Sequence, residues 1–354
     1  MNPATLAAVT EGVRQAGSGP AAPSSGPVGQ SPATRLANLL KTRELSTLVI
    51  LLAEIAFFTW YLWPEGGGRH PFLNAENGLL ILKYSAIYGI AAIGASMVII
   101  SGGVDLAPGA VIALTTVVLG HQYIDSGWSL PASILAGLGV GVVAGAISSA
   151  LVVLVRLPPF IATLGVMGIT RGLAYIVTEG RFFDVSARIP PGWAPLGIPL
   201  DWMAPVVMVV LTVVFHVFMR HVQPGRAVFA VGGNETAARY TGIQVGRIKT
   251  MVYMVSGVLA ALSGVILVLG QGQGKADLAN GYELDIIASA VVGGASLTGG
   301  RGSVVGAVLG TLIFGVLRNA LPQIPGATFY DRLIVGLVVV VIVVVDQLLS
   351  KRRD

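Results

Sequence analysis

The sequence predicts an all-α, polytopic transmembrane helical bundle of about ten spans, and three observations carry that expectation. Charged residues make up only 11% of the 354, and 54% are hydrophobic, with a mean hydropathy of +0.80. A soluble domain carries roughly 25% charged residues, and a single soluble core of this length could not bury so much apolar surface. Apolar stretches of roughly the 17–25 residues that a helix needs to cross a bilayer recur along the chain. Lys and Arg fall in short clusters between those stretches, as they do where charge sets membrane orientation.

The expected spans fall near 44–63, 78–101, 105–120, 130–155, 158–178, 203–220, 249–271, 284–298, 303–319 and 332–349. The stretches 105–120 and 284–298 are short for a crossing and are expected to be tilted, broken or re-entrant. An even number of crossings puts both termini on one side. That side collects Arg35, Lys41, Arg43, Arg156, Arg220, Arg226, Arg239, Arg247, Lys249, Arg301, Lys351, Arg352 and Arg353. The opposite connections hold Arg69, Arg181, Arg188 and Lys275, with Arg318 and Arg332 near span ends. The basic-rich side is therefore expected to be cytoplasmic.

Residues 1–34, rich in Ala, Gly, Pro and Ser, are expected to form a disordered cytoplasmic tail without the pattern of a secretory signal peptide. Residues 35–350 make one membrane domain, with a long inside loop at 221–248 and a long outside loop at 179–202. The chain has no cysteine, which excludes disulfides and thiol chemistry. The net charge of +5 follows the inside loops, so nucleic-acid binding is not expected. Four scattered histidines (His70, His121, His216, His221) lack metal-ligand spacing, and neither a metal nor a cofactor is expected. The stretch Gly270–Ala276 lacks the first Gly and the final Ser or Thr of a phosphate-binding loop, so the chain is not expected to hydrolyse ATP by itself, and no enzyme activity is expected of it.

The inside loop carries the most local information. Asn234 suits an N-cap, Glu235 the positive end of the helix that follows, and Gly242 a left-handed stop. The expected product is a short helix outside the membrane, either a surface helix or an element that presses into a partner. Elsewhere, Asp105 is placed to cap a helix entered at Ala107-Pro108, and Gly102-Gly103 to turn the chain before it. A role near a gate stands beside that capping role. Arg171 lies inside an apolar span, where a charge costs roughly 2.5–3.5 kcal/mol, so it needs a partner or a wet cavity. Glu54, Glu283 and Asp285 are the candidates. Gly137, Gly141 and Gly145 recur every four residues, as do Gly302, Gly306 and Gly310, and both series read as helix-packing faces. Gly102-Gly103 with Gly109 echoes Gly299-Gly300 with Gly306 at a constant offset, a hint of an internal repeat.

Four motifs in order resemble the permease subunits of bacterial monosaccharide ABC importers of the ribose/xylose/galactose type. They are Gly102-Gly103-Val104-Asp105-Leu106 with Gly109, and Pro159–Gly165 with Arg171–Ala174. The third is Gly225–Ile243, continuing through Tyr253, Gly257 and Gly264, and the fourth is Gly281–Ala288 with Gly293-Gly294, Ser296-Leu297 and Gly299-Gly300. The resemblance spans roughly residues 72–320 and departs from the family at Ala107-Pro108, where Ser is common. It implies a homodimer in the membrane that moves a monosaccharide by alternating access. It also implies a periplasmic sugar-binding protein and a cytoplasmic ATP-binding subunit engaging Gly232, Gly233, Asn234, Glu235, Ala237, Ala238, Arg239 and Gly242. Ser96, Asp105, Thr163, Arg171, Asp285, Ser289 and Ser296 are expected along the path or its gate. The rivals are a permease for nucleosides or branched-chain amino acids, a gradient-driven carrier using Glu54 or Asp285, and a membrane scaffold.

Overall fold

The computed structural model describes residues 43–64, 70–189, 195–330 and single positions between 333 and 344. The expected tail and most of the expected span 332–349 lie outside the described residues. Among the described residues eleven α-helices follow in order: α1 (Arg43–Tyr61), α2 (Ala75–Ile100), α3 (Pro108–Ile124), α4 (Leu130–Val153), α5 (Pro159–Thr178) and α6 (Leu200–His221), then α7 (Gln223–Gly233), α8 (Glu235–Tyr240), α9 (Val245–Gln271), α10 (Tyr282–Val292) and α11 (Val304–Ala320). Among the described residues the one departure from an all-α fold is a two-residue antiparallel ladder, β1 (Phe183–Asp184) on β2 (Gln273–Gly274).

Among the described residues seven helices are long and apolar enough to cross a membrane: α1, α2, α4, α5, α6, α9 and α11. The two short candidates resolve differently. The apolar run at 284–298 stops being helical at Val292, where Gly293-Gly294 ends α10 after 11 residues. At 1.5 Å per residue that is about 16 Å, half of a hydrocarbon core. α3 has 17 residues, about 25 Å, and starts only at Pro108 because 102–107 is non-helical.

The bundle is built around α2 and α9. Every residue from Gly89 to Ser101 is buried, so this half of α2 touches protein on all sides. In α9, 78% of the most apolar window is buried, against 17% in α1. α2 packs on α9, α11, α6 and α10; α9 packs on α4, α2 and α3. α1, α5 and α6 instead present Leu52, Phe57, Ile169, Ile176, Val210 and Val214 outward, as lipid-facing helices do. Trp60, Tyr61, Trp63, Trp128 and Trp202 are exposed at one end of the bundle, forming an aromatic belt.

Small residues bring the core helices into backbone contact. A Cβ added at Gly141 would sit 2.2 Å from the Gly257 carbonyl, and one at Gly145 2.7 Å from that of Tyr253, so the α4 glycines seat α9. One at Gly137 would meet Thr115 of α3 at 3.2 Å. Gly306 and Gly310 do the same for α10, at 2.0 Å from the carbonyls of Gly293 and Ser289. Gly302 does not belong to that face. It precedes the helix, whose N-cap is Ser303, and an added Cβ there would strike the Ile100 side chain. The four-residue spacing continues into a loop, where helical periodicity has no meaning.

Candidate functional site

The helix break at 101–107 lies mostly inside the bundle and the 272–281 segment dips into it at Ala276 and Ala279, and polar groups gather there. Asp105 is 4% exposed; its Oδ1 accepts from the Ala107 amide at 3.0 Å and its Oδ2 from the Ser256 hydroxyl at 2.7 Å. The Val104 carbonyl beside it accepts from Thr163 at 3.3 Å and Tyr253 at 3.4 Å. Ser256 lies three turns into α9, about 16 Å from its start, so Asp105 sits deep in the bundle. The extended segment is tolerated at that depth because its backbone groups are covered and bonded by protein. Ser256 carries no signal in the sequence beyond being a hydroxyl in a Gly-rich span.

The start of α10 meets the start of α3 at this level. A Cβ on Gly109 would fall 2.2 Å from Glu283 Oε2 and 2.9 Å from the Ala279 carbonyl. Arg171 serves this junction, but not through any of the three expected carboxylates. Its guanidinium donates to the carbonyls of Ala276 (2.9 Å), Leu278 (2.7 Å) and Ala279 (3.3 Å). The reason is that a non-helical segment inside a membrane leaves carbonyls without ladder partners, and one guanidinium has five donors to offer. Glu283 stands close enough to act on Arg171 electrostatically, while its Oε2 is buried with no hydrogen-bond partner.

Asp285, two residues further along α10, pairs with Arg318 of α11, whose guanidinium reaches both carboxylate oxygens at 3.0 and 2.8 Å. The Tyr88 and Tyr282 rings lie 4.3 Å apart, and Asn77 and Asn319 exchange amide hydrogen bonds of 2.9 and 2.8 Å. Between α2 and α11, Asn77, Tyr88, Arg318 and Asn319 open onto a cavity of about 490 Å³, whose wall also carries Tyr84 and Gln323 and the apolar Pro71, Leu80, Ile81, Gly315 and Pro322. The wall is largely apolar, with amide and guanidinium donors beside two tyrosines. The remaining expected path residues do not converge there. Ser96 donates to Ile93 of its own helix, Ser289 Oγ is buried without a partner, and Ser296 bonds Thr298 at 2.8 Å in the 293–303 loop. Tyr84, Tyr88, Asn77 and Asn319 were not legible as a group, because their proximity comes from packing α2 on α11.

At the end away from the aromatic belt, the 221–248 loop forms two helices rather than one. α7 is pressed against the membrane breaks through glycine. A Cβ on Gly232 would sit 1.8 Å from the Ile100 carbonyl and 2.6 Å from the Gly300 amide, and the Gly300 N–H itself donates to Ile100 at 2.8 Å. An added Cβ on Gly299 would come within 3.0 Å of Gly102, and one on Gly300 within 2.6 Å of Gly233. The two glycine doublets of the sequence echo thus meet each other and α7 at one point.

α8 follows, with Asn234 accepting from the Ala237 amide at 2.9 Å as N-cap. Gly242 closes it at φ +85°, a left-handed conformation that suits Gly. Ala238 is buried against Val231 and Val245, while Thr236, Ala237, Arg239 and Tyr240 face outward. Glu235 holds α8 to α9: it accepts from Lys249 at 2.6 Å and from Arg239 at 3.0 Å. The Lys249 hydrogen bond is the largest influence keeping the Glu235 carboxyl below the usual glutamate range.

Residues 77–343 match the family described as branched-chain amino acid transport system / permease component. The ribose import permease protein RbsC of Escherichia coli strain K12 is 33% identical over 314 residues, covering 87% of this chain and 94% of the relative. The ribose import permease protein RbsC of Bacillus subtilis strain 168 is 37% identical over 285 residues, 78% of this chain and 86% of the relative. The fructose import permease protein FrcC of Rhizobium meliloti is 31% identical over 319 residues, with shares of 86% and 85%. No solved structure matches the chain. On the family match and these relatives, the chain belongs to the permease components of ABC importers, in the branch that holds the sugar import permeases, as a multi-pass inner-membrane protein.

Proposed function

We propose that this chain is the membrane subunit through which a monosaccharide crosses, by alternating access driven from a separate ATP-binding subunit. The observation that carries the reading is the glycine contact at Gly232. It joins the surface-exposed α7–α8 connection to the ends of both interrupted regions of the bundle, at Ile100 and Gly300. A push on α8 has a rigid route into the membrane there, because backbone contacts without side chains leave no slack. ATP binding shifts the population between two arrangements only if the α7–α8 contacts differ between them.

In this reading α8 lies in the cytoplasm with both termini, the basic-rich side faces inward, and the bundle has ten crossings. Two copies surround the path, and a periplasmic binding protein delivers the sugar to the 179–202 and 272–281 loops. The family description names branched-chain amino acids and the relatives name ribose and fructose. A neutral substrate is favoured because Arg318, the one cation on the α2–α11 cavity among the described residues, is already matched by Asp285. A zwitterion would require a charge free to receive it. The test is reconstitution with the ATP-binding and sugar-binding partners recovered from native membranes. ATP-dependent uptake of a labelled monosaccharide, weakened when Tyr88 and Asn319 are replaced by Ala, supports the reading. Uptake that continues without ATP and collapses with the ion gradient sinks it.

A further inference from the structure

A second cavity, of about 810 Å³, lies at the other end of the bundle, between the corner joining α4 to α5 and the start of α9. Its wall carries Arg156, Arg239, Arg247 and Lys249, against the single carboxylate of Glu235. Lys249 and Arg239 are engaged by that carboxylate. Arg156 and Arg247 are exposed and make no ion pair among the described residues. Four cations around one opening repel each other at rest, so the arrangement is relieved by an anion that enters it.

The surface beside this cavity is apolar. Leu154 and Val155 run directly into Arg156, and Phe160 and Ile161 start the next helix; all four are exposed, at 78%, 60%, 54% and 56%. An exposed apolar shelf that ends at a cationic hollow matches an amphiphile with its chains along the shelf and its charge in the hollow. A soluble anion would fill the hollow and make no use of the shelf beside it.

We infer that the cavity between the α4–α5 corner and the α8–α9 joint binds the phosphodiester headgroup of an anionic phospholipid. The acyl chains lie over Leu154, Val155, Phe160 and Ile161, and Arg156 and Arg247 provide the unpaired charge. Such a lipid touches the same wall as the Lys249–Glu235 bond that fastens α8, so bilayer charge acts on the coupling helix directly. The inference rests on the cytoplasmic placement of α8 and is tested so that the two fail separately.

The chain is placed in nanodiscs of phosphatidylcholine with and without phosphatidylglycerol, and the lipids it retains are counted by native mass spectrometry. The expected result is selective retention of phosphatidylglycerol. Retention falls roughly thirty-fold in the double variant R156Q/R247Q, at about fivefold per basic residue removed near a membrane. It is unchanged in R226Q, which removes one basic residue from α7 outside the cavity. Equal retention of the two lipids, or equal loss in R226Q, overturns the inference. Displacement of the lipid by millimolar inorganic phosphate overturns it in favour of a free anion. Loss of the ATP-binding partner in R156Q/R247Q with lipid retention intact overturns it in favour of a protein-docking surface. Sidedness is read separately with Y240C, the only cysteine in an otherwise cysteine-free chain. Labelling of that residue from the periplasmic face contradicts the topology whatever the lipid result.

Discussion

The two helices of the 221–248 connection are neighbours in sequence and opposites in construction. α7 is held by backbone touching backbone: Gly225 against the Phe218 carbonyl and Gly232 against Ile100 and Gly300. α8 is six residues long, kept in shape by its own cap and stop, and fastened to α9 by the Glu235 carboxylate and the small apolar contact of Ala238. The first kind of contact transmits force and tolerates no added atoms. The second leaves a helix whose outer face is free to be covered and whose attachment is weak. A segment that receives a partner and passes the push inward needs both, in this order.

The difference ranks the effects of substitution. The largest is expected for Gly232→Val, since its first added carbon would lie 1.8 Å from a carbonyl oxygen inside a packed junction. Overpacking of this kind costs about 1–3 kcal/mol or more, read as a lower unfolding midpoint in detergent together with lost uptake. A normal midpoint with normal uptake would break the comparison at its stronger side. Gly141→Val should also cost about 1–3 kcal/mol, through the Gly257 carbonyl 2.2 Å away. It sharpens the contrast, because the α4–α9 seam lies off the α7–α8 connection: per kcal/mol lost, uptake should fall less than for Gly232→Val.

Asn234→Ala removes the cap of a short exposed helix and is expected to cost about 1 kcal/mol. Faster amide exchange confined to 235–240 would be the signature, with exchange in α7 unaltered. The smallest effect concerns Glu235. Its folded pKa is depressed below the ordinary 4.5, so the stability it lends is fully present above that value and is lost as pH falls through the folded pKa. The pair is partly exposed, which limits it to a surface-pair effect of about 0.5 kcal/mol. Exchange in α8 should be flat from pH 7 to 5, after correction for intrinsic rates, and should rise only below about 4.5. Glu235→Gln should abolish that step.

How much of this was legible in the sequence follows from the range of each interaction. Asn234 and Gly242 could be assigned because a cap and a left-handed stop are settled by residues within one or two turns. The glycine seam of α4 was legible for the same reason, with period four on one helix. The end of α10 was not, since the small residues Gly293-Gly294-Ala295 and then Leu297 carry the stretch on past Val292, where the helix stops. Arg171 was assigned to carboxylates because only side chains carry a residue name; backbone carbonyls at 276, 278 and 279 give no such mark. Asp285 with Arg318, and Asp105 with Ser256, are joined across separate helices, and nothing in the local pattern of either partner announces the other.

Gly242 offers the most direct test of coupling through this connection. Its φ of +85° is costly for a β-branched residue, yet a Cβ there would meet no atom within 4 Å, so Gly242→Val strains α8 without crowding the bundle. ATP-driven sugar uptake and ATP hydrolysis should be measured side by side in proteoliposomes holding this variant and its partner subunits. Hydrolysis that continues while uptake falls at least about tenfold, roughly 1.4 kcal/mol of lost coupling, is the predicted result. Uptake at the level of the unaltered chain would contradict the assignment of α7–α8 as the coupling element.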